Sequence, residues 1–418
     1  MKLAVVGGGV SGLYAAWHLS KQHEVIVLEA DRRLGGHADT HQVQEQGRTI
    51  AVDSGFIVFN EVHYPLFAAW LQALGISWHD SDMSFSVSDS ASGLEYNATN
   101  LDRLFCQRRN LLRPRFLGLV RDMVRFYRQA PDLLTAVDEH QTLAQWLSGS
   151  GLGRSFAELH LLPMASALWS APMGQVGEFP MRHLLAFMDN HGMLTLGKRP
   201  PWRTVNGGSA RYVEAAARTI GRIETATPVR SIRRLPDRVE VVTDQDALVV
   251  DGVILACHSD QALALLADPN RAEREVLGAI AYQPNEVALH TDTRVLPRHP
   301  RAWAAWNVRR DRHDRERCRV SYYMNSLQKL DCARDYIVSL NQTELIDPAR
   351  IIATRSYQHP VFTTAAVRAQ QRWDEINGPQ RTWYCGAWWG WGFHEDGVRS
   401  ARRVVDAIEA ADRRALAA

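Results

Sequence analysis

Leu3-Ala4-Val5-Val6-Gly7-Gly8-Gly9-Val10-Ser11-Gly12, followed by apolar residues at helical spacing to Leu19 and then by Val25-Ile26-Val27-Leu28-Glu29, decides the fold of this chain. An apolar run, a glycine turn, a helix and a second apolar run make a βαβ unit. In Gly7-x-Gly9-x-x-Gly12 the first glycine permits the tight turn, the second lets backbone approach a pyrophosphate, and the third lets helix pack on strand. Val10 and Ser11 then stand at a helix N-terminus, where free N–H groups and the helix dipole favour phosphate. Glu29 ends the second strand 22 residues after Gly7, where an acid accepts hydrogen bonds from ribose hydroxyls. The motif needs a strand before it and a helix after it, and this sequence supplies both.

Working outward, Arg33-Leu34-Gly35-Gly36-His37 adds a second glycine pair that brings more N–H groups towards a diphosphate. The C-terminus repeats the opening logic, with strand-like Thr382 to Cys385, a glycine turn, and a helix expected from about 397 to 415. Between them, residues 64–75 read as a short helix, residues 100–200 as mainly helical, and 223–256, 285–291 and 318–324 as strands. The 418 residues exceed one ordinary core. The expected fold class is therefore α/β, a dinucleotide-binding Rossmann domain of the glutathione-reductase-like kind carrying an inserted α+β substrate domain. Residues 1–75, 203–275 and 376–418 would form the first and residues 76–202 and 276–375 the second.

These motifs resemble the flavin amine oxidase superfamily, whose members carry an acid, an arginine four residues later, and a glycine pair. The resemblance implies non-covalent FAD, held by Gly7, Gly9, Val10, Ser11, Gly12, Glu29, Ala30, Arg33, Gly35, Gly36 and His37. It further implies Gly55, Phe56 and Val229, and at the C-terminal segment Gly386, Ala387, Glu395, Asp396, Gly397 and Val398. Many members have arginine where this chain has His37 and an acid where it has Ala387, which draws the reading away from a standard amine oxidase. The stretches Leu34–Ala38, Gly55–Asn60, Asp82–Phe85, Trp169–Pro172, Trp303–Asn307 and Gly390–Gly397 are similar to the flavoprotein domain fused to plant cyclopropane fatty acid synthases and to its stand-alone bacterial relatives. That similarity implies oxidation or desaturation of a fatty-acyl or similar apolar chain, with a lipid methyltransferase as partner. The alternatives are a flavin amine oxidase acting on a small or polyamine substrate and a flavin-holding subunit of such a methyltransferase.

Trp388, Trp391 and Phe393, set among glycines, are candidate pocket walls, joined by Tyr64, Trp169 and Trp202 from the family-like stretches. His394 is the candidate proton relay, because an unperturbed imidazole titrates near neutrality. Core packing or helix capping is the other reading of each. The net charge of +2 argues against a nucleic-acid partner. Five scattered cysteines without a C-x-x-C spacing argue against a disulfide framework or a metal site. With no leader-like segment and no run of about 18 apolar residues, a cytoplasmic location is expected. Residues 103–128 carry eight arginines against Asp122 alone, with Phe116, Leu119, Val120, Met123 and Phe126 at helical spacing. Such a helix fits peripheral contact with the inner membrane face, a solvated charged face being the alternative.

Overall fold

The computed structural model describes residues 1–194, 200–311, 314 and 317–417. Strand β1 (Lys2–Val6) is apolar on both faces, and Leu3, Ala4 and Val5 are fully buried, which a central parallel strand requires. Gly7 turns the chain with φ +108° into helix α1 (Val10–Leu19), which returns it to β2 (Glu24–Leu28). Strands β3 (Arg222–Glu224), β4 (Gly252–Leu255) and β5 (Thr382–Tyr384) complete a five-stranded sheet in the order β5-β4-β1-β2-β3. Every pairing in it is parallel. Helix α2 (His394–Ala417) packs on α1, starting about a turn earlier than the glycine at 397 implies.

A second, seven-stranded sheet runs in the order 351–361, 281–290, 337–340, 320–323, 306–310, 85–89, 94–97. Its strands lie within 76–202 and 276–375, and those of the parallel sheet within 1–75, 203–275 and 376–418. Helices Pro114–Ala136 and Met181–Asn190 pack on each other beside it, and one apolar core joins them to the sheet. An antiparallel hairpin, Thr40–Glu45 with Arg48–Asp53, links the two halves. Its buried Asp53 accepts hydrogen bonds from Ser209 N, Ser209 Oγ, Thr40 Oγ1 and Gln328 Nε2, so one carboxylate ties three distant segments together. Among the described residues, no helix is long and apolar enough to cross a membrane.

Candidate flavin site

The glycine turn is built so that three of its four faces are closed. A Cβ on Gly7 would meet the Ala256 carbonyl oxygen at 2.7 Å, one on Gly8 the Leu34 side chain at 2.6 Å, and one on Gly12 the Gly7 carbonyl oxygen at 1.9 Å. On Gly9 it would meet nothing within 4 Å. Gly9 is also the N-cap of α1, whose start has no side-chain cap and no acid in its first turn. An open backbone face at an uncapped helix N-terminus fits a diphosphate. Gly35 N donates to Gly8 O at 2.8 Å, and Gly35 and Gly36 both take positive φ, so the second glycine pair lies against the first turn. Arg33 donates to the carbonyls of Gly36 and Ala38, fixing that loop from behind. Arg33 thereby supports the loop that carries the glycine pair.

Glu29 accepts from Gly8 N at 2.6 Å and from Asp31 N at 2.8 Å, which holds the carboxylate at the end of β2. Thr227 N donates to Glu29 O at 2.9 Å, bringing the segment that ends in Val229 alongside Glu29 and Ala30. From the C-terminal side, a Cβ on Gly397 would meet Ser11 Oγ at 2.8 Å and Val10 Cγ1 at 2.9 Å. The starts of α1 and α2 thus meet, and Ala387 and Val398 join them there. These residues fit FAD: Gly9 to Ser11 for the diphosphate, Glu29 for the ribose, Val229 for the adenine end, and Gly386, Ala387, Gly397 and Val398 for the flavin end.

Three expectations need correction. Glu395 is buried and accepts from Leu66 N and Phe67 N, capping helix Pro65–Ala73. Asp396 accepts from Trp391 N and Phe393 N and pairs with Arg399. Both carboxylates are engaged with the protein itself, and burial raises the Asp396 carboxyl to about 6. His394 is buried, stacks on Phe56 with ring centroids 3.6 Å apart, and shares a hydrogen bond with Tyr212 Oη. Burial pushes its imidazole down to about 3, so it is a neutral packing residue at physiological pH and not a relay titrating near neutrality. Glu395→Ala is expected to cost about 2 kcal/mol, since two helix N–H groups lose their acceptor, while FAD content stays unchanged. Thermal melting and the flavin-to-protein absorbance ratio check this.

His37 lies between the two sheets. Its ring stacks on Tyr357 at 4.7 Å and lies 5.3 Å from His359, and Phe56 N donates to its carbonyl. A Cβ on Gly55 would sit 2.1 Å from that same carbonyl oxygen, which accounts for a glycine there. Burial first, then His359 and His258, holds His37 well below the ordinary imidazole value. Its Nε2 is buried with no partner among the described residues. An orphaned donor or acceptor facing the junction of the two halves is a second observation that fits a bound dinucleotide.

The pocket candidates divide. Trp388 packs beneath the parallel sheet against Trp389, with Nε1 donating to Cys257 O, and leaves the set. Tyr64, Trp169, Trp202, Trp391 and Phe393 instead meet one helix of the expected helical stretch, Met181–Asn190, whose side chains sequence reasoning did not place at the pocket. This helix and the residue after it carry His183, Phe187 and His191 four apart, on one face. Phe187 stacks on Phe393 at 4.8 Å and lies 5.0 Å from Trp169, while His183 lies 6.1 Å from Trp391. His191 lies parallel to Trp202 at 6.3 Å and edge-on to Tyr64. Trp169 Nε1 donates to Trp391 O, clamping the C-terminal loop to the helical layer. The signal available in the sequence was that four-residue ring spacing.

Comparison with known proteins agrees with this geometry. A profile of the family described as flavin containing amine oxidoreductase matches residues 10–409. A 4,4'-diapophytoene desaturase of Staphylococcus aureus is 34% identical over 70 residues, 16% of this chain and 14% of that enzyme. Among the first curated relatives the matched stretches span only 9% to 14% of their lengths. The crystal structure of a CLA-producing fatty acid isomerase from P. acnes superposes with a TM-score of 0.71 at 16% identity, covering 97% of this chain and 98% of that one. Cyclohexylamine oxidase from Brevibacterium oxydans gives 0.70 at 16% identity, covering 99% of each. At such identities the two structures speak for the fold, while the family match spans nearly the whole chain. The glycine turn, Glu29 and the paired helix starts therefore have their explanation: the chain belongs to the flavin containing amine oxidoreductase family and is an FAD-dependent oxidoreductase.

Proposed function

We propose that this oxidoreductase dehydrogenates a fatty-acyl or similar apolar chain. The observation that carries the reading is the ring cluster between the C-terminal loop and helix Met181–Asn190. Its members Tyr64, Trp169, Phe187, Trp202, Trp391 and Phe393 are neutral, and burial holds His183 and His191 near 4, so they are uncharged as well. A desolvated site walled by neutral rings accepts methylene groups. An ammonium would lose its hydration there, and the nearby Asp396 carboxylate is already taken by Trp391 N, Phe393 N and Arg399. The likeness of Leu34–Ala38, Gly55–Asn60 and Gly390–Gly397 to the flavoprotein domain of plant cyclopropane fatty acid synthases supports the same substrate class.

When bound, FAD supplies the acceptor for a hydride from the chain. The protein's part is to lay the chain along the rings, exclude water and move the second hydrogen away as a proton. Anaerobic titration tests the reading: acyl phospholipids are expected to bleach the flavin absorbance, and primary amines and polyamines to leave it unchanged. Bleaching by amines alone would replace this reading with an amine oxidase. Bleaching by neither would make the chain a flavin-holding partner of a lipid methyltransferase.

A further inference from the structure

The segment from Leu101 to Arg128 presents an outer surface unlike the rest of the molecule. Ten large apolar side chains are exposed among the described residues, and five of them, Leu101, Leu111, Leu112, Leu117 and Val124, fall here. Leu112 is 87% exposed, the highest of all, and ends the short helical turn Arg108–Leu112 beside Leu111. On helix Pro114–Ala136 the residues Leu117, Arg121, Val124 and Arg128 recur at i, i+4, i+7 and i+11, one stripe, and all four are exposed. The opposite face, Phe116, Leu119, Phe126 and Ala130, is buried. Asp122, the one acid between 103 and 128, is buried too and is taken by Gly153 N and Arg121. Arg103, Arg108, Arg109, Arg115, Arg121, Arg125 and Arg128 remain exposed around the leucines.

Exposed leucines ringed by arginines, with Asp122 turned inward and the exposed Asp102 paired with Arg108, are complementary to one surface chemistry. Apolar side chains enter the acyl boundary while guanidinium groups meet lipid phosphates. We infer that residues 101–128 dock this protein on an anionic phospholipid bilayer, with Leu111 and Leu112 as the inserted tip. The same helix packs on Met181–Asn190, which bears the ring cluster. A bilayer held by the stripe therefore lies one helix layer from the proposed acyl site. This siting rests on the proposed function; the docking itself does not.

Full-length FAD-loaded protein is sedimented with phosphatidylglycerol-containing vesicles and with pure phosphatidylcholine vesicles, at low and high salt. Binding is expected to the anionic vesicles only and to weaken with salt, about fivefold per neutralised arginine. The paired variant Leu111→Ser with Leu112→Ser, and separately Arg109→Gln with Arg128→Gln, is each expected to lose tenfold or more of that binding. Flavin absorbance and melting should remain those of the wild type. Failure of the wild type to bind at low salt, or wild-type binding by both variants, overturns the inference. So does a protein that is dimeric in solution and becomes monomeric in the leucine variant, because a second copy would then be the occupant. Vesicle binding without flavin bleaching by lipid leaves the docking intact and removes the acyl substrate, so the two readings fail separately.

Discussion

Gly12→Ala is expected to strip FAD from the protein and lower its melting temperature, whereas Gly9→Ala strips FAD and leaves the melting of the apoprotein unchanged. The two glycines stand three residues apart in one turn and differ in what surrounds them. A methyl on Gly12 would lie 1.9 Å from the Gly7 carbonyl oxygen and 3.2 Å from Ala256 Cβ. The carbonyl is backbone of the turn and cannot swing aside, so α1 must lift from β1 and drag its contact with α2. Overpacking of this kind costs about 3 kcal/mol, and it moves the N–H groups that face the diphosphate. At Gly9 the backbone, with φ −75°, is open to any residue, and the added methyl meets no protein atom within 4 Å. It occupies the volume where the diphosphate approaches. A loss of about 3 kcal/mol of cofactor binding corresponds to roughly a hundredfold weaker FAD retention. Flavin fluorescence on dilution and melting of the deflavinated proteins separate the effects. Wild-type FAD retention by either variant would remove the turn from the cofactor site.

How far the sequence could be read follows from how local each feature is. The unit from Lys2 to Glu29 is contiguous, and its strand, turn and helix periods sit in one window. The meeting of Val10 and Ser11 with Gly397 is not local, yet it was reachable because both ends carry the same strand, glycine and helix order. Trp388 shows where reading fails. It stands among the same glycines as Trp391 and Phe393, but its ring covers Gly386 on the core side of the loop, and only the path of the loop decides that. His394 fails for a related reason. Nothing nearby in sequence announces that Phe56 and Tyr212, from segments far away, will close over it. The hairpin 40–53 was missed because Thr40, His41, Gln42, Gln44 and Glu45 give a polar strand, whose buried partners such as Gln328 and Tyr336 come from the other half of the chain.

Acidification from pH 7 to pH 5 is expected to remove most of the stability of the apoprotein. His160, His191, His290 and His394 are each less than a tenth exposed. Burial holds the first three near 4 and the last near 3, against about 6.5 for a free imidazole. The unfolded chain binds protons at these sites below about pH 6.5, and the folded chain does not until pH 4 or lower. Stability therefore falls as pH drops through that window, by about 1.4 kcal/mol per pH unit for each imidazole. At pH 5 four such groups cost about 8 kcal/mol. Asp53 and Asp396 act the other way, because burial raises both carboxyls from 3.8 to about 6 and the folded state takes up their protons first. Together they return about 3 kcal/mol by pH 5. Carboxylates held low by arginines, such as Asp39 and Asp292, add their loss only at lower pH. The change of about 5 kcal/mol from these six groups alone is of the order of the whole stability of a folded domain. Urea midpoints measured across that range should fall steeply below pH 6. His160→Gln, which keeps a hydrogen-bonding side chain between the Tyr96 and Tyr127 hydroxyls, is expected to flatten the slope by about one proton. A midpoint constant from pH 7 to pH 5 would show that the buried imidazoles, His191 of the ring cluster among them, are charged in the folded protein, and would remove the neutral lining on which the apolar site depends; a slope untouched by His160→Gln would show this for His160.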